Sequence, residues 1–196
     1  MQWSQLKKRI ETGFADSVSG RVEIWSTRYR RAHDDAGEAW ITIDKVKVAT
    51  MGNCRWRIAL YENAGRLQEE RGCSDYQDDA QNAGYHQALA EARTQTQASG
   101  IFSDYDFRQS LFAFLNLSID DAVASDDPII RALAILDRHF GKRRVMAFDS
   151  REENLLVRQL HEFRHLAETG QHKTGAVSAT IPLPNRHDPL ALSPAR

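Results

Sequence analysis

Cysteine is almost missing from this chain of 196 residues: Cys54 and Cys73 are the only two, and they form no C-x-x-C pair. That leaves no basis for a disulfide framework or a cysteine-based zinc site, and makes a reducing cytoplasm the expected compartment. Long apolar runs are missing as well. No stretch approaches the roughly 20 residues that cross a bilayer, which argues against a membrane span. The N-terminus, from Met1 to Ile10, is amphipathic and lacks the apolar run of a secretory signal. Proline is scarce, and four of the five prolines fall within residues 171–196, which have little apolar periodicity and read as an extended, mobile tail.

Nor is there an excess of one charge: 26 basic side chains face 27 acidic ones, a formal net charge of −1. The charges are instead segregated. Met1–Arg31 holds seven Lys or Arg against three acids, Asp104–Asp127 six Asp against one Arg, and Arg131–Arg151 six basic residues against two Asp. Separate positive and negative faces suit docking to a partner, whereas ordinary solvated helix faces give the same pattern without one. Apolar residues make up 41% of the chain, enough to fill a core. The length suits a single α+β domain over residues 1–169, followed by a tail from 170 to 196.

Trp3, Leu6, Ile10 and Phe14 recur at helical spacing and predict an amphipathic helix over 3–16, broken at Ser19-Gly20. β-Formers dominate 21–31, 38–43 and 46–50, giving a small antiparallel meander in which Asp44-Lys45 closes a tight hairpin that lacks the usual glycine. Trp56, Leu60, Ala64 and Leu67 predict a helix over 56–71, stopped by Gly72. A second helix follows from about residue 76 to 97, with so thin an apolar stripe that it belongs on the outside. Ser103 and Ser118 each stand three residues before an acid and predict helix starts, as does Asp127 before Pro128. The helix over 128–140 is apolar around most of its circumference except for Arg131 and Arg138, so it predicts the centre of the core, with Gly141 ending it. Lys142-Arg143-Arg144 reads as a basic link, and the last helix as 151–168.

One string carries a chemical signature. His161-Glu162-Phe163-Arg164-His165 matches H-E-x-x-H, in which two histidines one turn apart hold zinc and the glutamate activates water. Helical phase opposes that reading. Leu156, Leu160, Phe163 and Ala167 form the apolar stripe, which turns His161 and His165 to solvent with Arg158 and Glu168. Arg164 would sit beside the dication unless it turned away. The three-histidine variant fails too, because Glu168 stands at its glycine position and His172 falls one residue late. A third ligand would have to come from the tail, from His172, His187 or Asp188. The expectation is therefore no metal and no other cofactor.

The acidic pairs Asp120-Asp121 and Asp126-Asp127 sit where helix caps are needed, which accounts for them structurally. Gly141-Lys142-Arg143 resembles only the end of a phosphate loop, and cations after a helix C-terminus are explained by its dipole. A nucleic-acid reading would join Lys142, Arg143 and Arg144 with Lys7, Lys8 and Arg9 into a phosphate-binding patch. The 128–140 helix is too apolar to serve as a recognition helix, and Asp120 and Asp121 would repel phosphates.

The strings Trp3-Ser4-Gln5-Leu6-Lys7-Lys8-Arg9-Ile10 and Pro128-Ile129-Ile130-Arg131-Ala132-Leu133-Ala134-Ile135-Leu136-Asp137-Arg138, with Gly141-Lys142-Arg143-Arg144, resemble a family of uncharacterised bacterial proteins of similar size. The likeness spans about residues 3–165 and is loose between 52 and 102. It implies a bacterial, cytoplasmic protein and supplies no catalytic residues. The expected function is a non-enzymatic protein-binding module that takes a protein partner or a second copy of itself. Its candidate patch is Arg131, Arg138, Lys142, Arg143 and Arg144. The zinc hydrolase on His161, His165 and Glu162, and the nucleic-acid binder, are the alternatives.

Overall fold

The computed structural model describes residues 1–28, 37–148 and 152–170. Helix α1 (Trp3–Gly13) leads into an antiparallel meander of β1 (Val22–Arg28), β2 (Gly37–Ile43) and β3 (Val46–Gly52), in the order β1-β2-β3. Eight helices are described in all: α2 (Asn53–Arg71), α3 (Asp79–Ala98), α4 (Asp104–Phe114), α5 (Ile119–Val123), α6 (Pro128–Leu136), α7 (Lys142–Ala147) and α8 (Leu155–Thr169) complete the set. The architecture is α+β, with the helices in the majority. Among the described residues no helix is long and apolar enough to cross a membrane. The tail from 171 onwards lies outside the described residues.

Alternation along the strands decides the two faces of the sheet. Val22, Ile24, Ala39, Ile41, Ile43 and Met51 are buried against Leu6 and Ile10 of α1, Phe107 and Leu111 of α4, and Leu133 of α6. A register shift at Ile41/Thr42 puts the neighbours Val48 and Ala49 both inside. On the other face Trp25 and Trp40 are cross-strand partners with stacked rings 6.3 Å apart. Lys7 Nζ lies 3.8 Å from the Trp25 ring, and Lys47 Nζ 4.3 Å from that of Trp40. Cations thus bracket the aromatic pair from α1 and from β3. Lys7 also donates to Ile24 O (2.8 Å), while Glu11 Oε1 accepts from Ile24 N–H (2.8 Å). Helix α1 therefore satisfies backbone groups on the edge strand, where an unpaired edge would invite aggregation.

The hairpin without glycine has a physical reason. Asp44 and Lys45 both take left-handed backbone (φ 48° and 69°), the geometry of the twisted two-residue turn. Arg21 holds Asp44 through Nε (2.9 Å) and Nη2 (2.7 Å). The side-chain hydrogen bond raises the arginine's pKa against the opposing effect of burial.

The predicted caps are in place. Ser103 accepts from Asp106 N–H, Ser118 from Asp121 N–H and Asp127 from Ile129 N–H. Gly72 ends α2 in the left-handed conformation (φ 62°). Helix α6 is the core as expected, with every residue but Arg131 buried.

Its end differs from the sequence expectation. The helix stops at Leu136, because Asp137 turns extended and pairs with Phe14, while Ala15 N–H donates to Leu136 O and Arg138 N–H to Gly13 O. Tertiary pairing with the end of α1 overrides the helical propensity of 137–140. Gly141 does not terminate this helix; it is the N-cap of α7, and Lys142-Arg143-Arg144 is that helix's first turn, not a link. Helix α8 begins at Leu155 instead of 151, because Asn154 accepts from Leu156 N–H and Val157 N–H.

Helices α2 and α3 form an antiparallel hairpin with an apolar cluster of its own: Leu60, Ala64, Leu67, Cys73, Ala88 and Ala92. Small residues let the two helices close on one another with little buried area, as the thin stripe implied. Arg93–Asp106 (2.7 Å) and Asn154 Nδ2 to Gln97 O (2.9 Å) tie its base to the rest of the protein.

Candidate functional site

The H-E-x-x-H segment lies in α8, and each of its residues has a distinct environment. Phe163 is buried, as its place on the apolar stripe predicts, with the Arg21 guanidinium 4.7 Å from its ring centre. His161 does not face outward as expected: it is half-buried, its Nε2 is 2.8 Å from Val145 O, and its ring lies 4.8 Å from that of Phe148. The unforeseen helix α7 is the reason, since Val145 lies in it and Phe148 is its C-cap residue. A carbonyl only accepts, so Nε2 donates to it and offers no lone pair to a metal. His165 is also half-buried, its ring 6.0 Å from that of His161. Among the described residues no three His, Cys, Asp or Glu side chains converge as a metal site. His172, His187 and Asp188 lie outside the described residues.

Arg164 has turned away from the histidines and into the core, where it is 1% exposed. Its Nη1 donates to Ile135 O (2.5 Å) and Asp137 O (2.6 Å), carbonyls at the C-terminal end of α6. Glu168, one turn on, stands 3.4 Å from Nε and also accepts from Ser17 Oγ (2.7 Å). Burial lowers the arginine's pKa, and the charges of Glu168 and Asp137 oppose that shift. A cation here suits the negative end of the α6 dipole. The segment thus joins three helix ends: His161 holds α7, Arg164 holds α6 and, through Asp137, the end of α1.

Four of the five basic residues of the candidate patch are spread among separate contacts. Arg131 makes a paired contact to Glu152 (Nε and Nη2, both 3.0 Å) and donates to Ser125 O (2.8 Å). Arg138 donates to Thr12 O (2.6 Å). Lys142 donates to Glu168 O (2.6 Å) at the end of α8, so the dipole argument holds for a different helix from the one expected. Arg144 pairs with Asp120 (2.8 Å) and covers the Phe140 ring. Arg143 is exposed. Lys7 is engaged with Trp25 and Ile24, so with Lys142 and Arg144 three of the six residues of the phosphate patch are committed to internal contacts, while Lys8, Arg9 and Arg143 are exposed.

Two residues the sequence reading passed over organise the Arg131 contact. Glu152 accepts from Asn154 N–H (2.9 Å), and Asn154 caps α8 and reaches Gln97 at the end of α3. Burial disfavours the Glu152 charge, but hydrogen bonds from Arg131 and Asn154 and the nearby positive charges outweigh it, and its pKa is lowered. The chain of contacts borders a cavity of about 540 Å³ that also meets Val123, Asp126 and Phe148. The usable signal was local: asparagine directly before the apolar run at 155–157 is an N-cap pattern.

A further surface was also missed. Beside its packed face, α2 exposes Ile58 (60%) and Tyr61 (61%), and Cys54 lies on the same side. The spacing 54, 58, 61 is itself an apolar helical stripe, overshadowed in the sequence by Trp56, Leu60, Ala64 and Leu67.

Neither a curated protein nor a solved structure matches the chain. Residues 2–165 match the SF0329 protein family, so the chain belongs to that family.

Proposed function

We propose that the chain is a non-enzymatic, protein-binding module of the bacterial cytoplasm, and that its docking element is the α2–α3 hairpin. The observation that carries this reading is the exposed stripe Cys54, Ile58 and Tyr61 on a helix whose packed face already has its own partners. Apolar side chains grouped on one face gain free energy when a second surface excludes water from them. Supporting it, the residues that first pointed to chemistry are spent on internal contacts: His161 on α7, Arg164 on α6, and Arg131, Arg138, Lys142 and Arg144 on neighbouring elements. The absence of cysteine pairing favours the cytoplasm.

The test is a photo-crosslinking residue placed at position 58 of the full chain in bacterial cells, with the exposed Gln87 on α3 as control position. Discrete adducts at 58, absent at 87, are expected. No adduct at 58, or the same adducts at both, would contradict the reading.

A further inference from the structure

Positions 54, 58, 61 and 65 of α2 advance in steps of four, three and four, the order d, a, d, a of a heptad seam, and the next d position, Gln68, is already buried within the chain, so the open seam ends at Gly65. Cys54, Ile58 and Tyr61 occupy the first three, and all are exposed. Gly65 follows, with nothing within 4 Å of where a Cβ would stand, so a second backbone can approach there. The flanks carry opposite charges. Arg57 takes position g and Glu62 the next e, and both are exposed.

Parallel pairing of two such helices sets each g residue beside the e residue five positions further along the other helix. Arg57 of each copy then faces Glu62 of the other, twice by symmetry. Antiparallel pairing sets e against e and forfeits that match. The seam is thus complementary to itself in one orientation, and a symmetric pair is the commonest assembly that a self-complementary surface forms.

We infer that two copies of the chain pair through parallel α2 helices. Ile58 and Tyr61 lie at the centre, and Arg57 of each copy pairs with Glu62 of the other. The inference rests on the docking reading above and names its partner. The exposed seam extends over little more than one heptad, so association is a concentration-dependent equilibrium. Cys54, at a d position, stands opposite the same residue of the second copy.

Sedimentation equilibrium of the full chain tests it. The mass should rise with concentration from 22.3 kDa towards twice that value. Ile58→Asp should hold it at the monomer mass with unchanged circular dichroism, because the side chain is exposed in the single chain. Arg57→Glu should weaken association about tenfold, the effect of roughly 1.4 kcal/mol, and adding Glu62→Arg should restore it. Mild oxidation should give a covalent dimer that Cys54→Ser abolishes. A wild-type chain that is monomeric throughout, or a charge swap that fails to restore pairing, would overturn the inference. Monomeric protein with position 58 adducts heavier than one chain, but not twice its mass, would sink self-pairing and leave the docking reading standing.

Discussion

The Arg164 guanidinium stands 2.5 Å from the Ile135 carbonyl oxygen, so a cation from the middle of an H-E-x-x-H string caps the C-terminal end of α6, which is buried at every residue but Arg131. The same nitrogen serves Asp137 O, whose residue pairs with Phe14 at the end of α1. The contact satisfies carbonyls that the end of α6 leaves free and explains why the string contains an arginine.

Replacing Arg164 with Met keeps much of the apolar stem but leaves the carbonyls of Ile135 and Asp137 without their donor. An unsatisfied buried acceptor costs about 1–3 kcal/mol. Urea unfolding should show a loss of about 3 kcal/mol. A loss below about 0.5 kcal/mol, the usual surface effect, would mean that the contact does not hold α6.

The two histidines of the string should differ. His161→Ala removes a hydrogen bond to Val145 and the packing on Phe148, and should cost about 1–2 kcal/mol. His165→Ala, which lacks that backbone contact, should stay within about 0.5 kcal/mol. Equal effects would indicate that α7 is not anchored by His161.

Acid should release the Glu152–Arg131 contact. The folded-state pKa of Glu152 is lowered, so its contribution is complete above the ordinary glutamate value of about 4.5 and is lost as pH falls through the lower folded value. Glu152→Gln should therefore be less stable than wild type at neutral pH by about 1 kcal/mol, the scale of a partly buried ion pair. The gap should close below pH 4.5. A pH-independent gap would show that the charge is immaterial.

On the outer face of the sheet, a double-mutant cycle on Lys47 and Trp40 should give a coupling of about 0.5–1 kcal/mol, the range of exposed cation–π pairs. Additive single mutants would show that Lys47 is merely near the ring.

Local signals carried most of the fold. Ser103, Ser118 and Asp127 cap the helices that they announce, Gly72 ends α2, and alternation at 38–43 places Ala39 and Ile41 inside. Three of the departures share one cause. Helix α6 ends early because Phe14, more than a hundred residues away in sequence, pairs with Asp137; His161 turns inward because α7 folds over it; Lys142 serves the end of α8. Periodicity reports which face of a helix is apolar, but not which distant backbone will ask a polar side chain for a hydrogen bond. The α2 stripe was readable at 54, 58 and 61, yet a second and longer stripe on the same helix outweighed it.

The central claim, that the exposed face of α2 is the working contact surface, is tested most directly by the reactivity of Cys54. Cys54 is exposed on that face, whereas Cys73 is buried in the hairpin. Maleimide labelling of Cys54 should be several-fold slower in intact cells than in dilute purified protein, with Cys73 slow in both. Ile58→Asp should remove the difference. Equal Cys54 rates in cells and in dilute solution would show that nothing covers the stripe, and would contradict the account.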